Sequence, residues 1–152
     1  MSVSTARERD PEPVVQFSVF VPNRMGRMNE VVRSLAEREV HIMALSVLDT
    51  TDSTILRLVV DDPDGARRLL DERAFAYSES VMVCVEVDSE KLLQEVLGAL
   101  VEAELNIHYM YPFLTRPGGK SALAISLEHQ DVAEVALRRH QFRVLYQSDI
   151  AR

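Results

Sequence analysis

The chain has 152 residues, of which 47% are hydrophobic and 6% aromatic, a composition typical of a globular protein. Its 24 acidic and 17 basic side chains give a net charge of −7, which argues against binding to nucleic-acid phosphates. A single cysteine fits a reducing compartment, and no apolar run approaches the ~20 residues of a membrane helix, so we expect a cytoplasmic protein that binds no membrane.

The first half of the chain follows a polar stretch, residues 1–13, which we expect to be a disordered tail. Strands are indicated where apolar and polar side chains alternate, and helices where apolar side chains recur three and four positions apart. Pro22 ends the first strand, and Asp64 is placed to cap the second helix. The predicted elements are strands at 15–21, 42–48, 55–60 and from 75 onward, and helices at 28–36 and 64–70.

The second half of the chain repeats the first. Val31 in the first apolar helical stripe matches Val96, 65 positions later, and Phe75 matches Phe142, 67 positions later. The two extra residues fall at a turn, Pro117–Gly119, and this agreement of pattern and spacing indicates a duplicated domain. The repeated elements are strands at 82–87, 107–114, 122–127 and 142–146, and helices at 93–101 and 131–137, with Asp131 as the expected cap of the last helix.

Each copy therefore predicts the order strand–helix–strand–strand–helix–strand, which folds as an antiparallel sheet with both helices on one face. This is the ferredoxin-like plan, and the fold class is α+β. We place the first domain (copy one) at 14–79 and the second (copy two) at 80–152. Because only Ser78–Ser80 lies between the copies, we expect them to be rigidly docked. Marginal unit size and exposed sheet edges lead us to expect a homodimer.

Two stretches of copy one resemble a known family. Val21–Met28 combines the end of an apolar strand, a polar loop that ends in glycine, and the start of a helix, and Val40–Ser46 follows as an apolar strand. This pattern resembles the ACT domain, a small regulatory module that binds amino acids. The chain from about 14 to 149 is similar to stand-alone pairs of ACT domains, and Leu45–Pro63 and Asn106–Tyr111 match that subgroup especially well.

The resemblance implies an amino-acid site at the junction of the two units. The helix start offers unpaired backbone N–H groups to a carboxylate, Gly26 lets that backbone approach the ligand, and Arg24 and Arg27 add positive charge. From the residues alone, aromatic side chains at strand spacing are also typical of a core or an interface. The implied site residues are Asn23, Arg24, Met25, Gly26, Arg27 and Ser46 of copy one, and Asn106, Tyr109 and Tyr111 of copy two.

The corresponding loop of copy two has no glycine. There, Asp88 or Ser89 can cap its own helix, and Glu90 would repel a carboxylate. We therefore expect one competent loop per chain, in copy one, with copy two supplying the opposite wall of the site.

Neither a catalytic site nor a metal or cofactor site is predicted. The histidines are scattered, and no nucleophile lies in a pattern with a base and an orienting group. We expect a non-enzymatic regulatory protein that binds an amino acid at the interface of its two ACT domains and acts on a partner enzyme or regulator. The alternative is an ACT pair without a ligand, which serves as an assembly module through protein–protein contacts.

Overall fold

Helices and strands follow the predicted order in both copies of this computed structural model, which describes residues 11–22 and 26–151. Copy one contains β1 (Val14–Pro22), α1 (Arg27–Glu37), β2 (Ile42–Asp49), β3 (Ser53–Val60), α2 (Pro63–Glu72) and β4 (Ala76–Glu86). Copy two continues with α3 (Glu90–Glu102), β5 (Ile107–Pro112), β6 (Ala122–Leu127), α4 (Gln130–Arg139), β7 (Val144–Leu145) and α5 (Gln147–Ile150). In the part of the chain that the structure describes, no helix is long and apolar enough to cross a membrane.

Both copies form the predicted ferredoxin-like unit. Copy one has the strand order β2-β3-β1-β4 and copy two the order β5-β6-β4 with β7 beside β4, and every pair is antiparallel. The helices cover one face of each sheet. Phe17, Leu35 and Leu69 are fully buried between the sheet and helices of copy one, and Leu100 and Leu137 are fully buried in copy two. The α+β fold class is confirmed.

One strand, β4, belongs to both copies. Its first part, residues 76–82, pairs with β1, whereas residues 83–86 pair with β6, and Cys84 and Val85 also pair with β7. The segment Ser78–Ser80, which the sequence suggested as a link, is therefore the interior of a strand. A single run of backbone joins the two sheets.

Two predicted helix caps are wrong. The cap of α2 is Asp62, whose carboxylate accepts a hydrogen bond from the Gly65 N–H at 3.0 Å, because Pro63 already occupies the first helical position and moves the cap upstream of Asp64. The last long helix, α4, starts at Gln130 without a side-chain cap, so Asp131 lies inside its first turn. There an acidic side chain is favoured by the helix dipole.

The predicted final strand, 142–146, is shorter in the structure. Only Val144 and Leu145 pair with β4, and the chain then turns into the short helix α5. The side-chain amide of Gln147 in α5 donates a hydrogen bond to the Val60 carbonyl at 3.0 Å, and Ile150 is buried between the sheets. The end of copy two therefore packs on copy one.

The two sheets face each other on the sides that carry no helices. Their edge strands also meet, because Ala44 of β2 forms a bridge with Phe113 after β5, and the Leu114 N–H donates to the Met43 carbonyl at 2.8 Å. Helices thus lie on the outside and an apolar layer lies between the sheets. That layer consists of Val14, Met43, Ala44, Val59, Met82, Cys84, Tyr111, Ala122, Ala124, Leu145 and Ile150.

Candidate functional site

A polar cluster interrupts the apolar layer between the sheets. At its centre is Gln16 of β1, whose side chain is fully buried. The Gln16 amide nitrogen donates hydrogen bonds to the Tyr109 hydroxyl at 2.7 Å and to the Ser80 hydroxyl at 3.1 Å. The Tyr111 hydroxyl donates to the Gln16 amide oxygen at 2.6 Å. Burial of an amide is costly unless its hydrogen bonds are made, so these contacts hold the sheet of copy two in one position on the sheet of copy one.

Arg57 of β3 extends the cluster toward solvent. It lies opposite Ser18 of β1 and Ser46 of β2 in the strand pairing, so the three side chains share the face that Gln16 occupies. The guanidinium carbon of Arg57 lies 3.8 Å from the centre of the Tyr109 ring. We call Gln16, Arg57, Ser80, Tyr109 and Tyr111 the inter-sheet cluster.

The Arg57 side chain has unused hydrogen-bonding capacity. Its Nε is buried and has no hydrogen-bond partner among the described residues. None of the ion pairs that the described residues form involves Arg57. By contrast, the surface residue Arg67 pairs with Glu79 at 2.5 Å and with Asp64 at 2.9 Å. No carboxylate of the described residues therefore balances the charge of the half-buried Arg57.

Burial favours the neutral form of two ionisable groups in this region, Tyr111 and Cys84. It raises the pKa of the Tyr111 phenol, and Cys84 and Tyr109 nearby act in the same direction. The pKa of the Cys84 thiol is also raised, because that side chain is completely buried. A protonated Tyr111 can donate to Gln16, and a protonated, buried Cys84 is a poor nucleophile. Among the residues described, no group of three or more metal-ligating side chains is present.

Three of the residues predicted for the site lie at the inter-sheet cluster. Tyr109 and Tyr111 belong to it, with their rings stacked at 6.5 Å and 11° between planes, and Ser46 lies beside Arg57. Asn106 is exposed and directly precedes β5. The tyrosines thus serve as part of the interface between the sheets, as strand spacing alone would suggest.

The predicted loop residues that the structure describes lie on the other side of the sheet of copy one. Gly26 immediately precedes α1, with φ at +92°, a left-handed conformation that favours glycine. Arg27 pairs with Glu30 at 2.7 Å and lies 4.8 Å from the ring centre of Phe75, a residue of the helix-side core. Asn23, Arg24 and Met25 lie outside the described residues.

The matching loop of copy two is closed by its own side chains. The Leu92 N–H donates to the Ser89 hydroxyl at 3.1 Å, and the Ser121 N–H donates to the Asp88 carboxylate at 3.4 Å. A shallow cavity of about 310 Å³ lies beside this loop, with Glu90 in its wall. One of the N–H donors that a carboxylate would need at the helix start, that of Leu92, is thus used within the protein.

Sequence reasoning missed Gln16 and Arg57. Gln16 alternates with apolar residues in β1, which is also the pattern of a strand with one face in water. Arg57 offered a clearer signal, because it is a lone charge in an otherwise apolar strand, Ile55–Val60. The face that both residues share is covered by the second sheet, and a strand pattern does not show such a cover.

Comparison with known proteins agrees with this architecture. A solved structure of protein BT0572 from Bacteroides thetaiotaomicron is 29% identical, with a TM-score of 0.83, and the match covers 91% of this chain and 96% of that one. The ligand-free regulatory subunit of aspartate kinase from Thermus thermophilus is 16% identical, with a TM-score of 0.61 and coverage of 87% and 93%. The corresponding subunit from Thermus flavus is 14% identical, with a TM-score of 0.51 and coverage of 86% and 93%.

No protein with a curated description matches the chain significantly. The sequence profile of the family described as "ACT domain pair" matches residues 13–151, which is nearly the whole chain. With two ferredoxin-like units joined through β4, this chain belongs to the ACT domain pair family.

Proposed function

We propose that this ACT domain pair is a non-enzymatic regulatory protein that binds an amino acid at the interface of its two units. The observation that carries the proposal is the inter-sheet cluster, where polar groups from both copies meet inside an apolar layer. A ligand that touches both copies can favour one arrangement of the two sheets over another. Only such a difference in affinity can change how the protein acts on a partner enzyme or regulator.

The proposed site has two parts. Ser46, Tyr109 and Tyr111 form one part at the inter-sheet cluster, and the loop from Asn23 to Arg27 forms the other, at the start of α1. Asn106, at the start of β5, is kept with the first part. Since the described loop residues lie on the helix side of the sheet, a substitution in each part will show which part holds the ligand.

A thermal-shift screen against each of the twenty amino acids tests this function. A ligand at a hundredfold excess over its dissociation constant stabilises a protein by roughly 2.7 kcal/mol, which is readily detected. We expect at least one amino acid to raise the melting temperature. If none of the twenty does so at millimolar concentration, the amino-acid proposal is wrong.

Substitution of Gly26 separates the loop from the cluster. Gly26→Val places a side chain at the loop, and Gly119→Val is its matched control, because both glycines have positive φ and open space around them. If the loop holds the ligand, Gly26→Val abolishes the shift while Gly119→Val retains it. If both variants retain the shift, the ligand binds elsewhere.

A second candidate function is assembly without a ligand. Val101 of α3 is 72% exposed, and Val132 and Val135 of α4 are about half exposed, at 48% and 47%. Exposed apolar side chains on neighbouring helices favour a protein–protein contact, such as a homodimer or a bound partner. Sedimentation of the wild type and of Val132→Asp at micromolar concentration tests this. A monomer in both cases contradicts the homodimer.

A further inference from the structure

We infer that Arg57 binds the carboxylate of the ligand, at the mouth of the layer between the two sheets. This assignment rests on the proposed function, because it gives one group of the same amino acid a binding residue. It also moves the centre of the site from the loop at the start of α1 to the middle of β3. Four observations support it, namely the position of Arg57, its free donors, its aromatic support and the hydroxyls around it.

Arg57 lies at the boundary between the part of the sheet face that copy two covers and the part that is exposed to solvent. Arg57 is partly exposed, whereas Val59, two residues further along β3, is fully buried beneath copy two. Phe20 of β1, two residues beyond the partner Ser18, is 41% exposed. A ligand can therefore reach the guanidinium from solvent while copy two covers its other side.

The free donors of Arg57 call for an anion. A guanidinium has five N–H groups in a flat fork that matches the two oxygens of a carboxylate. In this protein the Nε of Arg57 is buried without a described partner. An unpaired, half-buried cation is costly, and a carboxylate bound at the accessible part of the guanidinium would reduce that cost.

Tyr109 fixes the guanidinium in place. The ring lies parallel to that of Tyr111 and is held through its hydroxyl by Gln16. An aromatic face attracts a cation and shields one side of it from water. The guanidinium is thus placed before the ligand arrives, so little side-chain freedom is lost on binding.

Three serines lie in a row with Arg57 on the same face of the sheet. Ser46 of β2 and Ser18 of β1 lie opposite it in the strand pairing, and Ser78 of β4 lies opposite Ser18. A hydroxyl accepts hydrogen bonds as well as donating them. The row therefore offers donors to a carboxylate and acceptors to an ammonium group, which together are the polar groups of a free α-amino acid.

Binding measurements on Arg57→Met test the assignment. We expect the amino acid that gives the largest shift in wild type to bind Arg57→Met on the order of tenfold to a hundredfold more weakly, because a charged hydrogen bond is lost. Arg33→Met is the matched control: it removes the same charge from a side chain of α1 that is 65% exposed, and it leaves the affinity unchanged. Arg57→Lys keeps the charge without the fork and falls between wild type and Arg57→Met.

Two chemical analogues of that amino acid identify the group that is bound. Its 2-oxo acid keeps the carboxylate and lacks the ammonium, whereas its carboxamide keeps the ammonium and lacks the carboxylate. We expect wild type to bind the 2-oxo acid weakly and the carboxamide not at all. If the 2-oxo acid and the carboxamide bind wild type with equal affinity, the assignment is wrong.

The outcomes distinguish this inference from the proposed function. If an amino acid binds wild type and Arg57→Met equally, the function stands and the role of Arg57 is wrong. If only 2-oxo acids bind, and Arg57→Met abolishes that binding, the carboxylate site stands and the amino-acid proposal is wrong. If nothing shifts wild type, both are wrong. Cooperative unfolding of Arg57→Met and Arg57→Lys in urea verifies that each variant is folded.

Discussion

The first helix of each copy starts in a different way, although the two copies have the same fold. In copy one, α1 follows Gly26 in a left-handed conformation, with no side-chain cap. In copy two, α3 follows Ser89 in an extended conformation, and the serine hydroxyl caps the Leu92 N–H. Because glycine has no side chain, Gly26 cannot accept a hydrogen bond from the N–H groups at the start of α1. At the start of α3, the Ser89 hydroxyl accepts one such hydrogen bond.

The outer faces of the helices differ as well. In copy one, ion pairs link the C-terminal ends of α1 and α2, between Arg38 and Glu72 and between Arg73 and Glu37. In copy two, Val101 of α3 is the most exposed of the large apolar side chains described, and α4 exposes further valines. Isolated surface ion pairs add little stability, so this difference concerns what each copy can contact more than how firmly it folds.

Between the sheets, the two copies contribute complementary chemistry. Copy one supplies the amide of Gln16 and the cation of Arg57, and copy two supplies the rings and hydroxyls of Tyr109 and Tyr111. Equivalent core leucines, meanwhile, are fully buried in both copies. The comparison shows that one backbone plan carries two different surfaces, with the candidate site where those surfaces meet.

The largest effect that we expect concerns the equivalent leucines Leu35 and Leu100, both completely buried. Leu35→Ala and Leu100→Ala each remove packed side-chain atoms and leave a cavity, which costs about 2–5 kcal/mol. Because β4 belongs to both sheets, we expect each variant to unfold in one transition that includes both copies. Calorimetry with near-ultraviolet circular dichroism measures this. Two separate transitions would show that the copies fold independently.

A smaller effect is expected from the contact between Gln16 and Tyr111. Gln16→Leu leaves the buried Tyr111 hydroxyl without its acceptor and lowers the free energy of unfolding by about 1–3 kcal/mol. Tyr111→Phe removes the other partner. In urea denaturation the double variant should lose less stability than the sum of the single variants, because both remove the same hydrogen bond. Additive losses would mean that the two side chains are not coupled.

The helix starts can be compared directly by substitution to alanine. At Gly26 a side chain meets no atom within 4 Å, so Gly26→Ala should cost about 1–2 kcal/mol through its left-handed backbone alone. Ser89→Ala should cost about 1 kcal/mol through loss of the cap. Chemical denaturation measures both. Unchanged stability of Gly26→Ala would indicate that the backbone there relaxes to negative φ.

The smallest effect is a pH dependence of stability that has opposite signs for two glutamates, Glu79 of β4 and Glu134 of α4. The hydrogen bond that Arg67 donates to Glu79 lowers the pKa of this glutamate. The stability that this pair contributes is therefore lost as the pH falls from the ordinary glutamate pKa through the lowered one. Burial raises the pKa of Glu134 in α4, so stability falls as the pH rises from the ordinary pKa through the raised one. Each contribution should be below about 1 kcal/mol, because the groups are partly solvated.

Urea denaturation at a series of pH values between 3 and about 7 measures how the free energy of unfolding changes with pH, because most carboxyl groups titrate within this range. Glu79→Gln should remove part of the stability lost on acidification. Glu134→Gln should remove part of the decrease that accompanies a rise in pH. Identical profiles for wild type and both variants would contradict the two assigned environments.

Much of the fold could be predicted from the sequence. The helical stripes and the repeat gave the order of elements in both copies, because burial against a helix-covered sheet face imposes a regular spacing. Helix ends were harder. Two residues after the end of each of the four long helices lies a residue with positive φ, and none of these is the glycine that is usual at such a position: Glu39, Ala74, Glu104 and Gln141.

The way in which the copies dock could not be predicted from their patterns. A sheet covered by helices on one face and by a second sheet on the other has two buried faces. A polar residue such as Gln16 then suggests a solvent-exposed face, although the second sheet covers it. The sequence likewise predicts two strands with a link at Ser78–Ser80 in place of the continuous β4, and serine is a common turn residue. The pairing of β4 with β1 on one side and β6 on the other depends on contacts far apart in sequence.

The shared strand means that the gene of this protein could no longer be divided into two working genes at the point of duplication. A first fragment that ends at Glu79 would lose the partners of Val14–Gln16, and a second that begins at Ser80 would expose that same stretch of backbone. Each half would present an unsatisfied edge that only the other half fits. Separately made fragments should therefore reassemble with one another, and neither should persist alone.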